Sequence, residues 1–191
     1  MKHIASKLLL PVLAVTALMG APAFAQQKLV PAQSEISFVS KQMGVPVEGR
    51  FKKFDAQVTF DPAKPEASKM AFTIDVASAS FGSPETDAEL PKAAWFSTAK
   101  FPQATFQSSS VKGAGPGKIE VTGKLTIKGN VRDVVVPVVL TQAGPTTNAT
   151  GTFVLKRLAF KIGEGEWTDT SMVADDVQVK FKLALTGVGK L

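Results

Sequence analysis

The sequence predicts an all-β protein of about eight antiparallel strands, arranged as a closed barrel or a sandwich, and three observations carry that expectation. Met70, Phe72, Ile74 and Val76 alternate with Lys69, Ala71, Thr73 and Asp75, the period-2 pattern of a half-buried strand. Turn residues punctuate the chain at short intervals, at Asp61-Pro62, Gly113 to Gly117, Lys128-Gly129-Asn130 and Gly144-Pro145, which suits a meander better than strand-helix-strand units. A single segment, Glu85 to Phe96, has helical spacing, with acids at its start and Leu90, Ala93, Ala94 and Phe96 as an apolar stripe. Pro91 interrupts it, so one or two short helical turns are expected there.

In chain order, Met1 to Ala25 reads as a secretory signal: Lys2 and Lys7, an apolar stretch from Leu8 to Met19, and the small-x-small sequence Ala23-Phe24-Ala25. The stretch is shorter than a spanning helix needs, and Pro11, Gly20 and Pro22 interrupt it. Cleavage after Ala25 and a periplasmic location are expected, with residues 26–191 as one domain. Strands are expected at Ile36 to Ser40, at Val58-Phe60 after Gly49-Arg50-Phe51, and at Met70 to Val76. Five more follow, at Ala104 to Val111, Ile119 to Ile127, Val131 to Leu140, Thr152 to Ile162, and Val177 to Leu185. The run Val134 to Leu140 is apolar on both faces, so one row of side chains is expected to face a lumen and the other to lie under a helix or loop. Pro137 cannot donate to a ladder and marks a bulge or the edge side of pairing.

Composition excludes several chemistries. The chain has no Cys or Tyr, and its one His, His3, lies in the signal. Ser-His-Asp and Cys-His nucleophilic catalysis, Cys/His zinc sites and the usual haem ligands therefore lack their essential residue. Asp175-Asp176 would point to opposite faces of a strand, and Glu164 and Glu166 lie in a glycine-flanked loop, at best a weak oxygen site for calcium. Neither pair suggests general acid and base work, so no enzyme, no metal and no covalent cofactor are expected. Without the signal there are 20 basic residues against 16 acids, a net charge of +4. The basic residues are dispersed, which argues against nucleic acid and suits transient contact with an anionic membrane surface. Twelve phenylalanines and two tryptophans remain in 26–191, either a packed aromatic core or the lining of an apolar pocket.

The order of several short motifs resembles the YceI-like polyisoprenoid-binding family, from about Ser34 to Thr186. The matching pieces are Ser34, Ile36 and Phe38; Gly49-Arg50-Phe51 with Phe54; Phe60-Asp61; and Trp95-Phe96, Phe101-Pro102, Phe106 and Ser108. LTIKG at Leu125 to Gly129 follows, then Arg132 and the valine run, Arg157 with Phe160, Ile162-Gly163, Glu166-Trp167 and Asp169, and the closing strand.

The resemblance implies a closed eight-stranded lipocalin-like barrel around an apolar tunnel. It implies binding, transport or storage of a long isoprenoid lipid, an isoprenoid quinone or polyprenyl phosphate, as a noncovalent ligand. From the early strands Phe38, Phe51, Phe72, Ile74 and Val76 are expected to line the tunnel; Trp95, Phe96 and Phe106 would continue it. The later strands would add Leu125, Ile127, Val136, Val138, Phe153, Phe160 and Phe181. Arg50, Arg132 and Arg157 are the expected headgroup contacts, since a guanidinium holds a phosphate bidentately or donates to a quinone carbonyl. Binding of another amphiphile, such as a fatty acid or fatty amide, and a chaperone or scaffold role are the alternatives. A homodimer is left open.

Overall fold

The computed structural model describes residues 27–191; the expected signal at 1–25 lies outside them. Eleven strands form one antiparallel sheet: β1 (Lys28–Leu29), β2 (Glu35–Gln42), β3 (Val45–Phe51), β4 (Phe54–Thr59), β5 (Lys69–Asp75), β6 (Ala79–Ser80), β7 (Gln103–Gly113), β8 (Lys118–Ile127), β9 (Asn130–Ala143), β10 (Thr146–Lys156) and β11 (Asp176–Thr186). Ten of them pair in the order β4-β5-β7-β8-β9-β10-β11-β2-β3-β6, and β1 pairs with the end of β11. The fold is thus all-β, but it is not the expected closed eight-stranded barrel. It is a curled antiparallel half-barrel of ten strands whose terminal strands, β4 and β6, do not pair with each other.

Loops and side chains bridge the gap between those two ends. The Lys52 and Lys53 amides donate to the Ser78 carbonyl and hydroxyl at 3.1 and 3.0 Å, and the Asp75 amide donates to the Lys53 carbonyl. At the opposite end of the curl the Gln27 side chain donates to the Phe60 carbonyl and accepts from its amide, both at 2.7 Å. One carboxamide thereby supplies the donor and acceptor that a neighbouring strand would offer.

Three strands were missed in the sequence, the two-residue β1 and β6 and the longer β3. Pro46 and Gly49 weaken the strand character of β3, and its hairpin turn is Met43-Gly44, with φ of 47° and 80°. A type I′ turn needs positive φ at both positions, which Met rarely supplies, so the turn is silent in the sequence. The expected strand at Thr152 to Ile162 is corrected to β10. It begins earlier, at Thr146, and a 3-10 turn at Arg157–Phe160 replaces its end. The helical segment contracts to α1 (Pro84–Glu89), with irregular turns beyond it, as Pro91 requires.

The core follows the pleat. Val121, Val136 and Leu183 belong to one buried cluster, and Val76, Phe96, Leu125 and Phe160 to a second near α1. The expectation that a helix or loop covers the outer row of the valine run is corrected. Val131, Val135 and Val139 are 46%, 52% and 44% exposed, because nothing crosses the outside of β9 there.

Candidate functional site

Two apolar cavities lie end to end inside the curl, with about 930 and 850 Å³ of empty volume, mouths included. They share Ile36, Ile74, Leu125, Phe153 and Val179, which form a waist between an upper and a lower chamber. Among the described residues Thr147 is the one polar side chain lining the upper chamber; the lower adds Ser40, Arg157 and the Trp95 indole.

The bore stays open because three rings lie flat on the wall. Phe38 and Phe181 sit directly opposite Gly49 and Gly151 in the ladders, and Phe106 lies diagonal to Gly123. A Cβ on any of these glycines would overlap the ring. The missing side chain leaves a recess that the ring covers. The aromatic stock thus coats the cavity instead of filling it.

Fourteen of the expected tunnel residues line the chambers. Phe72, Phe106, Val136, Val138 and Phe181 face the upper one, and Ile74, Leu125 and Phe153 face both. Phe38, Phe51, Val76, Trp95, Phe96 and Ile127 face the lower one. Phe160 is corrected: it is buried in the lower core and lines neither chamber, because the 3-10 turn carries it away from the strand it was assigned to. Ile36 and Val179 were missed although they share the pleat face of Phe38 and Phe181, so the alternation itself contained them. Phe81 and Leu90 reach the lower chamber from irregular backbone, which carries no period to read.

The arginines do not act as expected. Arg157 lines the lower chamber but is 1% exposed, and all five of its N–H groups are spent on backbone carbonyls. Nε donates to Ala174, Nη1 to Ile162 and Gly163, and Nη2 to Trp167 and Val173, at 2.6 to 3.2 Å. No donor remains for a headgroup. Burial pushes its pKa below the ordinary value, and the Asp175 charge opposes that shift. Gly163, at φ 80°, is required here twice over, since a Cβ would also strike the guanidinium. Arg50 projects from the outer face of β3, in register with Ser37 and Ser80. Arg132 is exposed near the end of β9 and donates to the Val131 carbonyl. The three are not brought together.

Arg157 is instead the anchor of the lower cap, where Lys128 assists it. Lys128, in the LTIKG turn at φ 50°, is buried and donates from Nζ to the Ala93 and Lys161 carbonyls and to Glu164 Oε2 at 2.6, 2.8 and 2.7 Å. The hydrogen bond and charge of Lys128 hold the Glu164 carboxyl below its ordinary pKa. Trp95 and Trp167 pack over this end with ring centroids 5.4 Å apart. Asp87 ties α1 down by accepting from the Ser80 hydroxyl at 2.6 Å and the Phe81 amide at 2.7 Å; the Ser80 bond is the main cause of its lowered pKa. At the upper end Val188 lines the chamber, and Gln142 donates to the Val188 and Gly189 carbonyls, holding the C-terminal segment across it.

The lining of both chambers is almost wholly apolar, and Arg157, its one charged side chain among the described residues, has no N–H left to hold a buried anion. The fold has counterparts among known proteins. The crystal structure of BcnA from Burkholderia cenocepacia is 50% identical, with a TM-score of 0.80, over 82% of this chain and 99% of that one. A domain from Saccharophagus degradans has a TM-score of 0.67 at 17% identity, covering 84% of this chain and 98% of its own, a likeness of fold alone. A UPF0312 protein of Ectopseudomonas mendocina is 36% identical over 125 residues, 63% of this chain and 65% of that protein, so the chain spans just under two thirds of that relative's length. The YceI-like domain profile matches residues 27–185, nearly the whole of the curled sheet, and the chain belongs to the YceI-like domain family.

Proposed function

We propose that this protein binds a long isoprenoid lipid in its bore and carries or stores it in the periplasm without catalysing a reaction. The observation that carries this reading is the pair of apolar chambers that lie against each other across five shared residues, with a nearly unbroken hydrocarbon lining. The Saccharophagus degradans neighbour is named as a polyisoprenoid binding domain, which agrees with a prenyl tail as the occupant.

Energetics favour a carrier. Burying each CH₂ is worth ~0.8 kcal/mol, so a tail of roughly 40 carbons would nominally contribute over 30 kcal/mol relative to water. Noncovalent affinity saturates near ~18 to 21 kcal/mol, so water is the wrong reference. A lipid comes from a bilayer, whose tails are about as apolar as leucine, and transfer into the bore is close to neutral. Loading and release are then both accessible, and selection falls to tail length and to the head.

The spent donors of Arg157 favour a head that is neutral inside the bore, as a quinone is, or a charged head that stays outside it. Extraction of the protein purified from its own periplasm, with identification of the lipid by mass spectrometry, tests the proposal. A prenyl-tailed lipid is expected. An empty bore that takes up neither a quinone nor a polyprenyl phosphate would overturn it.

A further inference from the structure

The wall of the bore has a seam. β9 and β10 pair from Ala143↔Thr146 as far as Val138↔Gly151, and there the ladder stops. Below that point Asn130 to Pro137 pair with β8 alone, and Thr152 to Lys156 with β11 alone. Pro137 stands at the apex, without an N–H to continue the ladder, and its carbonyl approaches Gly151 so closely that a Cβ there would lie 2.6 Å from the oxygen. The lower end is held by Asn130 Nδ2, which donates to the Phe160 carbonyl at 3.2 Å. Between these points no ladder joins the lips; Leu155 belongs to the lower core cluster, and Val134 and Phe153, one from each lip, pack against that cluster. Phe153 belongs to the waist, so the seam opens on the junction of the chambers.

Other strands also outrun a neighbour, β7 beyond Gln107 and β3 before Arg50; the β9–β10 seam differs in bordering Phe153, which lines both chambers. Parting these lips breaks none of the β9–β10 ladder, because none is there. The outer surface of the same lips carries exposed apolar side chains. Val131, Val135 and Val139 lie along β9, and Val154, 56% exposed, faces them from β10. Cations flank this strip. Lys118 pairs with Val139 across β8–β9, and Lys180 and Lys182 pair with Thr152 and Thr150 across β10–β11. Lys118, Arg132, Lys180 and Lys182 are exposed and make no salt bridge among the described residues, whereas Lys124 and Lys156 are neutralised by Asp133 and Asp176. Glu35 lies opposite Lys182 and Glu120 opposite Pro137, so the border carries an excess of positive charge, and an apolar strip with such a border suits the interface of an anionic bilayer, where apolar groups enter the headgroup boundary and lysines meet phosphates.

We infer that the β9–β10 seam docks on an anionic lipid surface and is the lateral gate through which a lipid tail slides into the bore. This rests on the function proposed above and assigns it a surface and a route. The C-terminal segment and the tryptophan cap lie over the two ends of the bore, so a side gate spares both from opening.

The test compares the full protein with K180E/K182E and with V135D/V154D, all four positions being exposed. Each is mixed with vesicles of phosphatidylglycerol and phosphatidylcholine in equal parts, carrying a pyrene-labelled farnesyl probe. Both variants are expected to lose vesicle cosedimentation and to take up the probe about tenfold more slowly or worse, while probe affinity in detergent solution stays that of the unmodified protein. Unchanged uptake by both variants would overturn the gate and leave the proposed function standing. So would a change of oligomeric state in V135D/V154D, which would show that a second copy covers the valines. Absence of probe binding in detergent by the unmodified protein would remove the proposed function and the gate together.

Discussion

Arg157 donates from Nη2 to the Trp167 carbonyl oxygen at 2.6 Å, and this contact joins the 3-10 turn after β10 to the tilted tryptophan pair over the lower chamber. The guanidinium is thereby a fastener for the cap.

Substitution of Arg157 is accordingly expected to damage stability before it damages recognition. R157M leaves several buried carbonyls without their donor and should cost about 3 kcal/mol or more, measured by urea denaturation. R157K keeps the charge but presents three donors in place of a planar fork, and should recover part of that loss. R50A and R132A, both at exposed positions, should leave stability and affinity for a prenyl quinone nearly unchanged.

The rings lying on glycines predict a second set of effects. In G123A the new methyl meets both the Phe106 ring and the Gln107 carbonyl, and in G151A the Phe181 ring and the Pro137 carbonyl, so ring and strand must both give way. Each ring then enters the upper chamber. A loss of about 1 to 3 kcal/mol in stability is expected, as for overpacking generally, together with weaker binding of long tails. Calorimetry of the ligand-free and quinone-loaded protein measures both.

The waist should measure tail length. Val179 borders both chambers, so V179W adds bulk where they adjoin. Affinity for a quinone with a long polyprenyl tail should fall by about tenfold or more, the equivalent of ~1.4 kcal/mol. A quinone whose tail fits one chamber should be little affected. Titration of a series of tail lengths by intrinsic tryptophan fluorescence distinguishes the two outcomes.

Acid should loosen the lower cap first. Asp87 and Glu164 both have carboxyls held below their ordinary pKa, Asp87 chiefly by the Ser80 hydroxyl and Glu164 chiefly by the hydrogen bond from Lys128. A carboxyl whose folded pKa is depressed contributes stability that is complete above its unfolded pKa, near 4, and is lost as pH falls through the lower folded value. In D87N/E164Q this contribution is absent at every pH. Thermal unfolding from pH 7 to pH 2.5 should therefore show a shallower acid decline in the double variant than in the unmodified protein.

Local chemistry along the chain was enough to locate most strands and most of the bore. Phe72 and Ile74 alternate with polar neighbours, so the pleat fixes which way they face, and Pro91 limits the helix wherever it lies. The missing His, Cys and Tyr in 26–191 exclude whole classes of catalyst whatever the fold. Three things were decided by the assembled sheet. Eleven strands curl without closing, because closure depends on the register and twist summed over every pair. Arg157 became a fastener, since five carbonyls from the same loop converge on it only after the chain has turned back at Phe160 and Gly163. The exposed valines and the seam beside them arise because Pro137 ends a ladder whose partner strand is known only once the sheet has formed. Side-chain direction is a local property of the backbone; what a side chain meets is set by segments distant in the chain.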